Sequence, residues 1–546
     1  MNRRTFIQTS AGAVVGTTLL QAAELPADHL AAMQRRKQRI VVQYDAIDPL
    51  WSYWKLHQNA DADFERYLAA IFSQMDTPGN QIDGIWWDIG GSPLDSTYPS
   101  KIEPPVAHPL VKQWLGQGID FVEQLVNETR RRKLEVFWHH RISEVENVPE
   151  GGASKQPAPL KVEHPDWAVP ASWWPQGLWN LAAPGLREHK VAILREVAMR
   201  YDLDGMQMDF SRHVPCLPVG RQWELRGHVT EFMRMVRLML LDVAKQRGRP
   251  LLLAAKVPQT LEGCHADGFD VKAWADQKLV DILTLGSRSM DVDVEGIRAA
   301  VGTEVQLQPC FDDYHTTDGY RHGSIEFLRG VFANHFQRGA DNVVTFNWTL
   351  GTPEACGILG SIVGPGSHQT AYQEVGEPKT MAGKDKLFAM ERRGGYPWAE
   401  GFFNRNDTAP LPRPLDGNPV KLTLHISDAP PAADVKATLT LRCVLFQADE
   451  ADVFDIRFNG VPLTITTRDA EWKDAQIFSP KPQRNSGGRG GYQIDPQQRL
   501  LRLDCAVPRA AWKLGENQAE ISLSPRAPSA KPPVQLEKVE VHLRYQ

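Results

Sequence analysis

Eight short apolar runs between residues 39 and 350 constrain the fold of this chain more than any other feature. They read RIVVQYD (39–45), IDGIWWD (82–88), LEVFWHH (134–140), LDGMQMD (203–209), PLLLAAK (250–256), VDILTLG (280–286), VQLQPCFDD (305–313) and NVVTFNW (342–348). Runs of this length and composition suit strands buried on both faces, as in a parallel sheet covered by helices. Amphipathic stretches of helical length separate most of them, at 63–75, 118–132, 186–201, 222–246, 271–279, 294–301 and 324–339. Parallel neighbours need such crossovers, and their fixed right hand closes the sheet. The predicted fold is therefore a (β/α)8 barrel over residues 36–400. In that architecture chemistry gathers at the carboxyl ends of the strands, where most of these runs finish in a polar residue.

Beyond Pro410 the pattern changes. VKLTLHI, ATLTLRCVLF, VFDIRFNG, QRLLRLDCAV, QAEISLS and KVEVHLRY alternate polar with apolar residues and have no helix between them. That predicts an all-β antiparallel sandwich over 410–546, with a hairpin turn at Asn459-Gly460. The connections 90–115, 142–184 and 350–384 are longer than a crossover needs and are expected to wall a cleft.

The amino terminus carries Arg3-Arg4, a weakly apolar stretch from Ala11 to Leu20 and then Gln21-Ala22-Ala23. Residues 1–23 are read as a twin-arginine signal peptide, which implies export to the periplasm or beyond the cell. No other run reaches the roughly 18 apolar residues of a membrane span, so none is expected once the signal is removed. A formal charge of −5 with no basic stripe argues against a nucleic-acid partner. Six widely spaced cysteines form neither a disulfide framework nor a zinc cage; all are read first as small buried apolar residues, although Cys443 and Cys505 could pair. No segment specifies an oligomeric state.

Alternation within each run predicts which side chains enter the barrel. It selects Gln43 and Asp45 on strand one, Trp86 and Asp88 on strand two, Trp138 and His140 on strand three, and Gln207 and Asp209 on strand four. On the remaining strands it selects Lys256, then Thr284 and Arg288, then Gln308 and Asp312, and finally Thr345 and Asn347. A mouth so rich in carboxylates, cations and amides is too polar to be packing. Paired carboxylates in such a mouth suit glycoside hydrolysis, in which one acid protonates the leaving oxygen while another carboxylate attacks or activates water. Of the 16 tryptophans, 13 precede residue 350. Indole faces pack on sugar C–H faces, and Trp173-Trp174, in a Pro-rich loop, are the pair least easily explained as core.

One segment also resembles a known family. Trp179-Asn180-Leu181-Ala182, Pro184-Gly185-Leu186-Arg187-Glu188, Arg195-Glu196 and Arg200-Tyr201-Asp202-Leu203-Asp204-Gly205-Met206-Gln207-Met208-Asp209-Phe210-Ser211-Arg212 resemble the family-10-like glycosyl-hydrolase-like barrels of bacteria. The resemblance implies that the carboxylate closing the Tyr-Asp-x-Asp-Gly-x-x-x-Asp segment, Asp209, is catalytic. Strand three departs from the family pattern, with His139-His140-Arg141 where an Asn is common.

For the second carboxylate, Asp312 has inward parity on strand seven; Asp313, Asp88, Asp45, Glu144 and Glu262 are alternatives. Expected substrate contacts are Asp45, Trp86, Asp88, His140, Trp173, Trp174, Arg212, Lys256, Arg288 and Asn347. Lys256, Arg288 and Arg212 either hold the carboxylates ionised or clamp an anionic group, so an anionic polysaccharide fragment is an expected substrate. A metal-dependent hydrolase would draw on His139, His140, His213 and His315, but adjacent His139 and His140 point to opposite faces and no His-x-His is present on strand one. No metal and no cofactor is expected. A non-catalytic glycan-binding barrel is the remaining alternative.

Overall fold

The computed structural model describes residues 24–546 apart from 58–62, 90–91, 147–153, 155, 172, 314–318, 393–408, 433, 475–499 and 527–531. The proposed signal at 1–23 and His315 lie outside the described residues.

The eight runs form the eight barrel strands: Ile40–Asp45, Ile82–Asp88, Glu135–Arg141, Gly205–Asp209, Leu252–Val257, Ile282–Leu285, Gln306–Asp312 and Val343–Phe346. Every neighbouring pair is parallel, and strand one pairs with both strand two and strand eight, which closes the barrel. The main apolar core lies between strands and helices, where Ile85, Trp87, Met206, Met208, Leu253 and Leu283 pack outward. Inside, a smaller apolar plug of Val41, Trp86, Phe137, Leu252, Ala254, Ile282, Cys310 and Val344 fills the lower barrel, and Phe346, level with Asp312, tops it. Gly205 opens strand four because nothing larger fits: a Cβ there would stand 2.4 Å from the Leu252 carbonyl oxygen and 2.5 Å from the Phe137 ring.

The helix Ala27–Arg35 closes the bottom of the barrel. Its Ala32 and Met33 pack on the apolar plug. Arg36, just beyond it, forks onto Glu135 (Nε to Oε2 2.7 Å, Nη2 to Oε1 3.0 Å), and Trp86 Nε1 donates to the same carboxylate at 3.0 Å. A buried Arg–carboxylate pair with both oxygens occupied is the geometry in which desolvation is best offset.

The carboxyl-terminal region is two antiparallel sheets sharing one core, in which Leu422, Leu424, Ile456 and Ile521 of one meet Leu441, Leu503, Val539 and Val541 of the other. Asn459 and Gly460 take φ of 50° and 80°, the left-handed pair that a two-residue hairpin between antiparallel strands requires. The strand Lys386–Ala389 pairs with Val534–Tyr545, so the sandwich recruits chain well before residue 400, where the barrel was expected to end. Cys443 and Cys505 are buried and free; they face Leu503 and Leu441 across their strands rather than each other.

Candidate active site

The upper barrel is a layer of bonded polar side chains. The Gln207 and Gln308 amides both donate to Thr284 Oγ1 (2.6 and 2.7 Å), while Gln207 Oε1 accepts from His139 Nδ1 at 2.5 Å. Lys256 Nζ donates to Gln43 Oε1 at 3.0 Å and lies 4.2 Å above the Phe346 ring. His139 Nδ1 donates to Gln207, and its Nε2 faces the carboxylates above with the Gln43 amide nitrogen 3.3 Å away. His139 Nε2 is 3.1 Å from Asp209 Oδ2 and 3.6 Å from Asp88 Oδ2.

Asp209 ends strand four. Its Oδ1 accepts the backbone N–H groups of Ser211 (2.8 Å) and Arg212 (3.0 Å), a local turn that fixes the carboxylate as the chain leaves the strand. Burial alone would raise its pKa, but Lys256, His139 and the Ser211 N–H outweigh that and hold it well below the usual carboxylate range. Asp88 moves the other way. Burial pushes its pKa up more than Arg141 and His139 pull it down, even though Arg141 binds its Oδ2 through Nε (2.8 Å) and Nη2 (2.6 Å). Arg141 also reaches Asp45 Oδ2 at 2.7 Å.

On strand seven, Asp312 Oδ2 accepts from Asn347 Nδ2 at 2.8 Å and lies 3.7 Å from Arg288 Nε. Strand seven stands three strand steps from strand four round the barrel, so Asp209 and Asp312 rise from different walls. Asp209 and Asp312 are nevertheless shielded, with 1 % and 0 % of their surface exposed.

Three expected contacts are placed elsewhere. Trp86 enters the barrel as expected but in the bottom layer, stacked on Phe137 at 4.3 Å and fully buried, far from any ligand at the mouth. Strand three has the opposite parity to that expected: Phe137, His139 and Arg141 point inward, and Trp138 packs outward against Tyr98. His140 accordingly sits in the helix layer, 3.5 Å from Glu144, which also pairs with Lys190. The reason is that FWHHR offers no contrast between its two faces, so alternation alone cannot orient it. On strand eight, Val344 and Phe346 point inward and Thr345 does not; Asn347 reaches Asp312 because its φ of 55° turns the chain as the strand ends.

Trp174 is a buried part of the hairpin formed by Ala168–Ala171 and Trp174–Trp179, with Nε1 donating to Glu146 at 2.6 Å. Trp173 is half-buried and faces His213, ring centres 5.5 Å apart. Gln207 enters the barrel as expected, whereas sequence reasoning passed over Arg141, counted His139 outward and weighed His139 and His213 only as metal ligands; a count on strand three started from Phe137 would have turned His139 and Arg141 inward. His213 Nδ1 donates to the Ser143 carbonyl at 2.6 Å, and burial with Arg212 and Arg141 nearby keeps the ring neutral.

Asp313, His322 and His368 bring ligand atoms within 4.8 Å of one another on the outer side of strand seven. His368 Nδ1 accepts the Thr349 N–H at 3.3 Å, so its Nε2 carries the proton and donates to Asp313 Oδ2 at 2.5 Å. That hydrogen-bonded clasp uses the lone pair a metal would need.

No curated protein matches the chain. Among solved structures, the chain is similar to α-L-fucosidase isoenzyme 2 from Paenibacillus thiaminolyticus (12% identity, TM-score 0.37, 64% of this chain and 49% of that one). It spans about half the length of that protein. It is also similar to the PgaB (BpsB) glycoside hydrolase domain from Bordetella bronchiseptica (12%, 0.39, 60% and 100%) and to an Anoxybacillus α-amylase (10%, 0.38, 90% and 99%). Residues 79–216 match the family model Glycosyl hydrolase-like 10. That stretch runs from strand two through strand four of the closed (β/α)8 barrel and supplies Asp88, His139, Arg141 and Asp209, so the match to the glycosyl hydrolase-like 10 model covers one wall of the site.

Proposed function

We propose that this protein is an exported glycoside hydrolase in which Asp209 is the ionised carboxylate, acting as nucleophile or base, and Asp312 is the second carboxylate. The observation that carries the reading is the state of Asp209: a buried carboxylate at the end of strand four, kept charged by Lys256 and His139, inside the stretch that matches a glycosyl hydrolase-like family. Asp88 is the alternative acid, because its pKa is displaced upward while that of Asp209 is displaced downward. Export fits a glycan substrate, and among the described residues no helix is long and apolar enough to cross a membrane.

The test is release of reducing ends from a panel of bacterial, algal and plant polysaccharides by the wild type, Asp209→Asn, Asp312→Asn and Asp88→Asn. Loss of turnover in Asp209→Asn with binding kept supports the hydrolase. Loss in Asp312→Asn or in Asp88→Asn decides the second role. One observation favours a second reading: the near-complete burial of Asp209 suits a barrel that binds glycan without cleaving it. Glycan affinity with no turnover in the wild type would establish that reading instead.

A further inference from the structure

Among the described residues four cations stand around the mouth, and three of them have a polar partner. Arg141 binds Asp45 and Asp88, Arg288 stands beside Asp312, and Lys256 is hydrogen-bonded to Gln43 in the field of ionised Asp209. Arg212 combines two features that the others show at most singly: among the described residues no carboxylate lies within ion-pair distance of it, as for Lys256, and its Nε is buried without a hydrogen-bond partner, as is the Nε of Arg288. Its guanidinium carbon lies 5.9 Å from the centre of the Phe346 ring. Phe346 lines the barrel interior on strand eight, four strand steps from the strand that Arg212 follows, so the side chain reaches across the mouth rather than out to solvent.

A half-buried guanidinium has lost part of its hydration, and an orphan N–H on it is costly unless something else supplies the acceptor. Its planar fork fits a carboxylate or a sulfate in two bonds. The next residue refines the ligand. With Nδ1 donating to Ser143, neutral His213 offers Nε2 as an acceptor, which repels an anion and suits a hydroxyl. An anionic group and a hydroxyl on one ring describe an acidic sugar, and Trp173 beside His213 supplies an indole face for it.

We propose that Arg212 is the specificity-determining residue of this site and recognises an acidic substituent, a carboxylate or a sulfate ester, on the glycan that enters the barrel. Lys256 and Arg288 are not part of that recognition. The proposal builds on the glycan reading above.

The experiment is titration of the full chain, wild type and variants, with D-glucuronate, D-glucuronate methyl ester and D-glucose 6-sulfate, followed by saturation-transfer NMR. The wild type is expected to bind at least one charged sugar roughly ten-fold more tightly than the neutral ester, the effect of one charge-assisted contact. Whether the carboxylate or the sulfate shows the preference identifies the substituent. Arg212→Gln erases the preference, bringing the charged sugar down to the affinity of the neutral ester; Arg212→Lys keeps part of it; an unchanged melting temperature shows that both variants fold. Equal binding of acid and ester by the wild type, or a preference that survives Arg212→Gln, overturns the assignment and leaves the glycan reading standing. Failure of all three sugars to bind overturns both.

Discussion

His139 Nε2 lies 3.1 Å from Asp209 Oδ2, and both side chains are wholly shielded from solvent. The imidazole is held by Gln207 below and lies between the carboxylates of strands two and four.

His139→Gln therefore removes a positioning residue from Asp209 without adding charge. With that support gone, the pKa of Asp209 rises, so any turnover is expected to fall roughly 10²-fold, the scale of a mis-set acid–base group. The acid limb of the pH–rate profile moves to higher pH. A fall in rate with an unmoved limb would assign His139 a packing role only.

At the other end of the barrel, Glu135→Ala leaves Arg36 buried without its counter-charge, bonded only to the neutral amides of Gln306, Asn342 and Gln308, and Trp86 without its acceptor. The expected cost is about 3–5 kcal/mol, read as a lowered midpoint in urea denaturation. Arg36→Met combined with Glu135→Leu, which removes both charges, costs less than Glu135→Ala.

Asp281 joins His29 of the amino-terminal helix to Arg237, at 2.9 Å each. Burial opposes its charge, yet Arg237 and His29 lower its pKa from 3.8 to about 2. A carboxylate depressed in the folded state adds stability above its unfolded pKa and loses it as pH falls through the folded value. The contribution, about 2 kcal/mol from a shift of this size, is present above pH 4 and disappears between pH 4 and 2. Asp281→Asn should lower stability at pH 6 and flatten its decline over that window, measured by denaturant titration at each pH.

Gly205→Ala drives a methyl group into the Leu252 carbonyl, which is backbone and cannot turn aside. A loss of about 1–3 kcal/mol is expected from the overpacking. Strand four carries Asp209, so activity should fall with the melting temperature. A variant as stable as the wild type would show that the strand moves freely.

The segment that resembles a glycosyl-hydrolase-like family shows how much was legible beforehand. Tyr201 bonds Asp120, Asp202 pairs with Arg247, and Asp204 accepts the Val136 N–H and binds Arg130. Most of Tyr-Asp-x-Asp-Gly-x-x-x-Asp thus secures the lower end of strand four, and only Gln207 and the closing Asp209 reach the site. The motif located the strand and its carboxylate without distinguishing scaffold from chemistry. Trp86 and His140 went astray for related reasons: parity says nothing of height within a barrel, and nothing at all where both faces of a strand are aromatic or polar.

The sequence by itself determined the order and number of the barrel strands, the change to an antiparallel sandwich and the placing of Asp209 at a strand end. Each of these follows from periodicity and turn chemistry within a few residues along the chain. Tertiary structure decided which charges are matched. Arg141 joins Asp45 to Asp88, His139 reaches Asp209, and Arg212 extends over Phe346 with no carboxylate at hand among the described residues. Those pairings join strands up to half a barrel apart, and electrostatic energy depends on distance through space, which closure of the sheet sets and linear spacing does not.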